Sequence, residues 1–321
     1  MNKYSNNSNS SPALVADIGG TNARFALADK GKVFEEKVLA VKDFNHPRDA
    51  IQTYFEDVGI KAEQGCIAVA CPVHTNPIQL TNSHWQFFPD SLSKELNFSR
   101  LKIINDFTAL SLAVPLMKEQ DVIKFGSGIV IDEKPIGVLG PGTGLGMSGL
   151  IHSNSGWIPL QGEGGHISYS AQTELEIEVV RILHKEFPRV SAERILTGDG
   201  IQRLYRTMCI INDKATENLQ PHQIAELAIS KKDDSCVSAM DIFAAALGDV
   251  AGDLGLVLGA FGGIYLGGGI VSKHHKYFIQ SSLRRRFENK GRFDSYMRDI
   301  PTFIIHCELS ALKGCAVAIG E

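Results

Sequence analysis

Asp17-Ile18-Gly19-Gly20-Thr21-Asn22-Ala23-Arg24 is the stretch on which the architecture turns. Leu14 to Ile18 is a short, mostly apolar run that ends at Gly19-Gly20. A second run, Arg24 to Ala28, follows at once, and a third begins near Lys32 after the Lys30-Gly31 turn. Apolar runs split by a glycine turn predict an antiparallel hairpin. The same glycines let backbone N–H groups approach an anion closely, and the Thr21 hydroxyl adds a donor. Asp17 is then placed to organise a magnesium ion, through water. A plain hairpin turn is the competing reading of these residues.

Outward from this stretch the sequence alternates strands with helices. Asp49 to Phe55 has helical spacing, with Pro47 suited to a first turn. Cys66 to Cys71 and Leu101 to Ile104 are apolar and rich in branched residues, as buried strands are. Ser91 to Leu96 predicts a short helix between them, and Phe107 to Pro115 a helix leading to a second unit. There the pattern restarts. Pro135 to Leu139 is a strand ending in Gly140-Pro141-Gly142-Thr143-Gly144, followed by strands at Met147 to His152 and Gly156 to Leu160. A helix is predicted over Glu174 to Phe187, a buried strand ending in glycines over Gly262 to Gly269, and a last strand over Thr302 to His306. A strand, a glycine turn with threonine and two more strands thus occur twice, which indicates a duplicated α/β domain. Ligands of open α/β sheets sit at the carboxyl ends of strands. Three of these strands end in glycines, and a fourth in Asn105-Asp106.

Gly142-Thr143-Gly144 repeats the chemistry of the first glycine turn, and two such loops could grip a polyphosphate. Gly144 to Gly149 satisfies GxGxxG, yet an apolar, strand-like run follows instead of a helix, and Glu163 comes too early for the ribose acid. A dinucleotide fingerprint is therefore rejected. No GxxxxGK[ST] occurs either. The Asp106 carboxylate could take the proton of a substrate hydroxyl as phosphate transfers; Asp is also a favoured helix N-cap, and a helix follows. Gly162-Glu163-Gly164-Gly165-His166 offers a carboxylate and an imidazole on a glycine-flanked loop. A metal needs more ligands than these, whereas adjacent sugar hydroxyls suit them. Ser191-Ala192-Glu193-Arg194 reads on its own as a capped helix start with Glu193 paired to a neighbour. Trp85 reads as core or cleft wall, His184 as surface, and His274-His275 as an exposed helix turn.

At 321 residues, two domains are the first expectation. The formal net charge of −4 argues against a nucleic-acid binder. The short basic run Arg284-Arg285-Arg286 has acids on both sides and reads as a solvated helix face. Ile242 to Phe261 is apolar but carries Asp249 and Asp253, which predicts a buried helix and no membrane span. The six cysteines form no CxxC pair, and no signal peptide precedes the first strand, so reduced thiols and a cytoplasmic location are expected. Met1 to Pro12, rich in Asn and Ser, reads as a disordered tail.

Taken in order, Asp17 to Arg24, Ile104 to Ala109, Gly142 to Gly146, Gly162 to His166 and Ser191 to Arg194 resemble the motifs of bacterial ATP-dependent glucokinases. Cys71-Pro72, Thr81-Asn82-Ser83-His84-Trp85 and Lys290-Gly291-Arg292-Phe293 extend the likeness over nearly the whole chain. The resemblance implies a two-domain, duplicated ribonuclease-H-like fold of the actin and hexokinase type, with an interdomain cleft. Its small α/β domain would be residues 1–116 plus 305–321, and its large one 117–304. It implies phosphoryl transfer from ATP, with Mg2+, to the 6-hydroxyl of D-glucose, and a homodimer. Asp106 would be the base, and Asn105, Asp106, Glu163, His166 and Glu193 the sugar ligands. Asp17, Gly19, Gly20, Thr21, Asn22, Gly142, Thr143 and Gly144 would serve the ATP phosphates, and Gly267 and Gly268 the adenosine. The related repressor and kinase family has a cysteine-rich zinc loop, but no cysteine lies between Cys71 and Cys209 here, so no structural zinc is expected. Glu308 to Gly314 departs from the Asn-Pro-Gly type of ending, which bears on packing near the terminus.

Other readings remain open from sequence. A sugar-sensing regulator on the same fold would need a DNA-binding helix-turn-helix ahead of Asp17, where there is no room for one. Another hexose, or a donor other than ATP, is compatible with the same motifs.

Overall fold

Three strands joined by tight turns start the chain in the computed structural model, which describes residues 11–307 and 310–320. They are β1 (Ala13–Ile18), β2 (Asn22–Asp29) and β3 (Lys32–Ala40). Helix α1 (Pro47–Val58) follows. Pro47 opens it, where no backbone N–H is needed, and Gly59 closes it in the left-handed conformation at φ 68°. Then come β4 (Gln64–Val69), the short pair β5 (Ile78–Gln79) and β6 (Gln86–Phe87), α2 (Pro89–Glu95), β7 (Arg100–Asn105) and α3 (Asp106–Ala113).

The next stretch holds β8 (Val122–Phe125), β9 (Ile136–Pro141), β10 (Leu145–Ser153) and β11 (Gly156–Leu160). Helices α4 (Glu174–Leu183), α5 (Ala192–Ile195), α6 (Gly198–Ile211), α7 (Pro221–Ile229) and α8 (Asp234–Leu258) lead to β12 (Gly263–Leu266). Four shorter helices, α9 (Gly269–Lys273), α10 (His275–Gln280), α11 (Leu283–Glu288) and α12 (Asp294–Asp299), precede β13 (Thr302–Ile305). Helix α13 (Ser310–Gly320) comes last.

The chain divides into two units, Met1–Leu116 with Glu308–Glu321, and Met117–Cys307. The first unit's sheet runs β3-β2-β1-β4-β7, and the second's runs β11-β10-β9-β12-β13-β8. Their first five places correspond, and β8 adds an antiparallel edge strand to the second. In each, a three-stranded antiparallel meander is extended by strands parallel to its first member. Each unit has its own apolar core. Phe25, Tyr54, Trp85 and Phe87 lie in the first, and Phe243, Phe278 and Phe287 in the second. Strand β9 is buried along its whole length, which matches an apolar run covered on both faces.

Several expectations shift. The strand at Cys66 stops at Val69, and the helix from Glu174 stops at Leu183 with His184 as its exposed cap. Gly146 to Gly149 lies on β10, a strand. The apolar stretch from Ile242 is part of α8, which is largely buried, and no helix among the described residues is long and apolar enough to cross a membrane. His274 and His275 are half-buried, because the His275 ring meets His306 at 5.5 Å between centroids.

The largest correction concerns the basic run. Arg286 is buried, and its guanidinium bonds Glu176 Oε1 at 2.7 Å, Glu176 Oε2 at 3.0 Å and both carboxylate oxygens of Asp249. Arg284 donates to the Ile300 carbonyl at 2.9 Å and to Glu288 at 2.7 Å. Two of the three arginines are thus inward groups of α11. Residues 1–10, most of the Asn/Ser-rich tail, lie outside the described residues, as do Glu308 and Leu309 of the divergent ending.

Candidate active site

In the first unit the β1–β2 turn is closed by Gly19 N–H to the Asn22 carbonyl at 3.0 Å, so it is a hairpin turn as well as a glycine loop. The Thr21 carbonyl is held from behind by Val41 N–H at 2.9 Å. Asp17 stands directly across from Arg24 in the strand register, and Arg24 Nη1 approaches its Oδ2 at 3.3 Å. Burial nevertheless holds the Asp17 carboxyl above its ordinary value, against the lowering pull of Arg24.

Strand β4 separates β1 from β7, and the registers Ile18–Val69 and Val69–Asn105 align the ends of all three. That alignment brings Asp17 and Asp106 to one edge of the sheet. The helix cap after β7 is Asn105, not Asp106: its Oδ1 accepts from Phe107 N–H at 2.9 Å and Thr108 N–H at 3.4 Å. Its amide reaches the Cys71 carbonyl at 3.4 Å. Asp106 is instead the first helical residue, with one oxygen accepting from Phe107 N–H at 3.0 Å. Burial pushes the Asp106 carboxyl up from 3.8 to about 6, the Asp17 charge adds to the rise, and hydrogen bonds from Phe107 and Asn105 restrain it. A carboxyl so placed is ionised at neutral pH yet basic enough to accept a proton.

The second unit gathers another set. Gly142 N–H bonds the Gly144 carbonyl at 2.8 Å, and Gly198 N–H bonds the Gly142 carbonyl at 3.1 Å, which fixes the loop holding Thr143. Glu193 Oε2 accepts from Leu145 N–H at 3.1 Å, and its Oε1 lies 3.8 Å from His166 Nδ1. Glu193 thereby joins the glycine loop to the Glu163–His166 turn. That turn presses against β10: a side chain at Gly165 would strike the Leu145 carbonyl, so that position must be glycine, and one at Gly164 would displace the Met147 side chain. Arg189 holds the His166 carbonyl at 2.8 Å from the far side. Both Glu163 and His166 are exposed. Ser191 stands at the N-cap of α5 without a capping bond from its side chain, so the segment is a helix start as its sequence reads, with Glu193 in the first turn paired to its neighbours.

Gly267 N–H bonds the Leu139 carbonyl at 2.8 Å, and Gly268, at φ 88°, lies against the Pro141 carbonyl. Strands β9 and β12 are parallel neighbours, so Gly142–Gly144 and Gly267–Gly268 leave adjacent strand ends. Within the first unit the structure therefore assembles Asp17, Gly19–Asn22, Asn105 and Asp106. Within the second it assembles Gly142–Gly144, Glu163, His166, Glu193, Gly267 and Gly268. Sequence reasoning missed Arg24 as the partner of Asp17 and Arg189 as the brace of His166. The first was signalled by the short hairpin; the second had no local signal.

Magnesium fits the first set in a limited way. Among the described residues no group of three or more His, Cys, Asp or Glu side chains could form a metal cage. One partly exposed carboxylate, Asp17, suits an ion that keeps water and phosphate oxygens as its other ligands.

Comparison with known proteins gives a consistent result. The family model described as glucokinase matches residues 14–321. A glucokinase of Salmonella typhi is 42% identical over 304 residues, covering 94% of this chain and 95% of that protein. The crystal structure of a glucokinase from an Antarctic psychrotroph superposes with a TM-score of 0.87 at 34% identity, over 97% of this chain and 99% of that one. A glucokinase of Balamuthia mandrillaris, solved in complex with glucose, gives a TM-score of 0.79 at 20% identity, over 97% and 94% of the two chains.

Proposed function

The chain belongs to the glucokinase family, and on that premise we propose that Asp106 is the general base of its reaction. The enzyme is an ATP-dependent hexose kinase that moves the γ-phosphoryl group of ATP to the 6-hydroxyl of D-glucose. The sugar oxygen forms a bond to phosphorus, the bond from phosphorus to the departing ADP oxygen breaks, and Asp106 receives the hydroxyl proton. The observation that carries the assignment is the Asp106 carboxyl itself. It stands at the start of α3, is spared the capping role by Asn105, and is raised to about 6 by burial and by Asp17. Positioning and electrostatics supply most of the rate in phosphoryl transfer.

Asn105, Glu163, His166 and Glu193 are proposed as the glucose ligands. In support, Asn105 keeps an amide N–H available, and Glu193 Oε1 and His166 Nδ1 lie 3.8 Å apart, a spacing that lets them address neighbouring hydroxyls. The turns Gly19–Asn22 and Gly142–Gly144 would hold the phosphates, and Gly267–Gly268 the adenosine. Mg2+, bound through Asp17 and water, would neutralise phosphate charge. The corresponding strand orders of the two sheets support a duplicated ribonuclease-H-like fold of the actin and hexokinase type. A cytoplasmic homodimer completes the proposal. Six cysteines outside any disulfide favour a reducing compartment, and exposed Ile129, Ile158 and Val257 offer apolar surface for association.

The test is a coupled assay of sugar 6-phosphate formation from Mg-ATP and a panel of hexoses, run on the wild type and Asp106→Asn. Asp106→Asn should lose ~10²–10⁴-fold in turnover, the usual worth of a general base, with glucose binding by calorimetry largely retained. An unchanged turnover number rules out Asp106 as the base.

A further inference from the structure

The turn between β5 and β6, Thr81 to Trp85, has no part in the reaction as described, yet it is firmly anchored. Trp85 is wholly buried and its indole N–H donates to the Phe44 carbonyl at 2.9 Å; His84 Nε2 meets the same oxygen at 2.8 Å. Trp85 N–H donates to Ser83 Oγ at 3.1 Å, and Leu80 N–H to the Trp85 carbonyl at 3.2 Å. Phe44 ends the short turn that begins at Val41, and Val41 N–H in turn holds the Thr21 carbonyl. The β5–β6 turn and the Gly19–Asn22 loop thus share one support.

At the tip they touch. A methyl group built on Gly20 would lie 2.6 Å from the Asn82 carbonyl oxygen and 2.8 Å from Asn82 Cβ. Gly20 is not among the residues with positive φ, so it is glycine for the room it leaves Asn82, not for its backbone conformation. The Asn82 side chain starts at this contact, is exposed, and has no hydrogen-bond partner among the described residues. Its neighbours at the same strand ends, Asp17 and Asp106, are acidic. A lysine there would pair with them and an acid would repel the substrate, whereas a neutral carboxamide remains free to donate.

We infer that Asn82 is a further substrate-contacting residue, whose carboxamide N–H donates to a non-bridging oxygen of the γ-phosphoryl group held at Gly20. The inference rests on the reading of Gly19–Asn22 as a phosphate loop. In a loose transition state charge spreads over the equatorial phosphoryl oxygens, so the bond strengthens as transfer proceeds and acts on turnover.

Steady-state kinetics in ATP at saturating glucose, with melting temperatures, on Asn82→Ala, Asn82→Asp and Thr21→Ala test it. Loss of a hydrogen bond to a charged group predicts a ~10–100-fold lower kcat/KM for ATP in Asn82→Ala. The isosteric Asn82→Asp should fall further, because it sets a carboxylate against the phosphoryl oxygens, and both variants should melt near the wild type. Wild-type kinetics in both Asn82 variants, with Thr21→Ala impaired, overturn the inference and leave the phosphate loop standing. Wild-type kinetics in all three overturn the loop reading as well. Equal losses in the two Asn82 variants, with parallel falls in melting temperature, would make Asn82 a packing residue and also overturn the inference.

Discussion

Glu176 and Asp249 in the second unit face one buried guanidinium, whereas Asp17 and Asp106 in the first share one edge of a sheet, where the charge of Asp17 raises the Asp106 carboxyl. In the second unit Arg286 takes both carboxylates, and Glu176 also accepts from Tyr169 O–H at 3.0 Å and Gln172 N–H at 2.7 Å. Burial pushes the Glu176 carboxyl up, but those donors outweigh it and hold it below its ordinary value; at Asp249 burial outweighs the pull of Arg286 and Lys290, and the carboxyl stays above. In the first unit, among the described residues, Arg24 reaches Asp17 but not Asp106, from a half-exposed position. Burial is common to both places. What differs is whether one cation bonds both carboxylates: Arg286 ties Glu176 and Asp249 into the fold, whereas Arg24 reaches Asp17 alone and leaves the raised Asp106 carboxyl to its hydrogen bonds from Phe107 and Asn105.

The sharpest way to break this contrast is Arg286→Met. Removing the central partner of a buried ion network leaves carboxylates uncompensated and should cost ~3–5 kcal/mol of unfolding free energy. Urea unfolding of the isolated protein measures it, and a loss below about 1 kcal/mol would place the network among ordinary surface pairs.

A second experiment removes the repulsion in the first unit. NMR titration of the Asp106 carboxyl should report a value near 6 in the wild type and a lower one in Asp17→Asn, because one of the two causes of the rise is gone. No difference between the two would mean that burial acts alone.

The smallest effect is on stability. The folded value of Asp106 lies above its unfolded value of about 3.8, so the native state binds the proton more tightly and loses stability as pH rises from about 4 to 6. The penalty persists at higher pH. Asp106→Asn should therefore be more stable than the wild type by about 1–2 kcal/mol at pH 7.5, allowing for solvent near the carboxyl, and no more stable at pH 3.5. Equal melting temperatures at pH 7.5 would remove the stored cost from the account.

Most of the fold could be read from glycine turns placed against apolar runs, because both signals are local. Gly19-Gly20, Gly31 and Gly140 to Gly144 each mark a turn the chain makes, and the strands around them follow. The site was legible to the same extent, loop by loop. Where two capping residues stand side by side, as Asn105 and Asp106 do, a one-residue difference in where α3 begins decides which caps and which is left as the candidate base. Composition does not carry that distinction. Arg286 was misread for another reason: its partners lie 110 and 37 residues away, and three consecutive arginines look alike until α11 turns one of them inward. Glu193 meets Leu145 across 48 residues and was equally invisible.

Helix α13 belongs to the first unit although all of the second precedes it in sequence. Its Gly314 lies against the Ala109 carbonyl of α3, its Cys315 thiol donates to the Ala16 carbonyl at 3.4 Å, and Arg100 holds its Ile319 carbonyl at 3.1 Å. During synthesis on the ribosome, domains fold as units once their residues have emerged. Here the second unit has all its residues while the first still lacks the helix that backs α3 and Asp106. The strand ends that carry Asp17 and Asp106 are therefore completed only after the whole second unit has been made, and a nascent chain cut short before α13 would carry a finished second unit beside an unfinished first one.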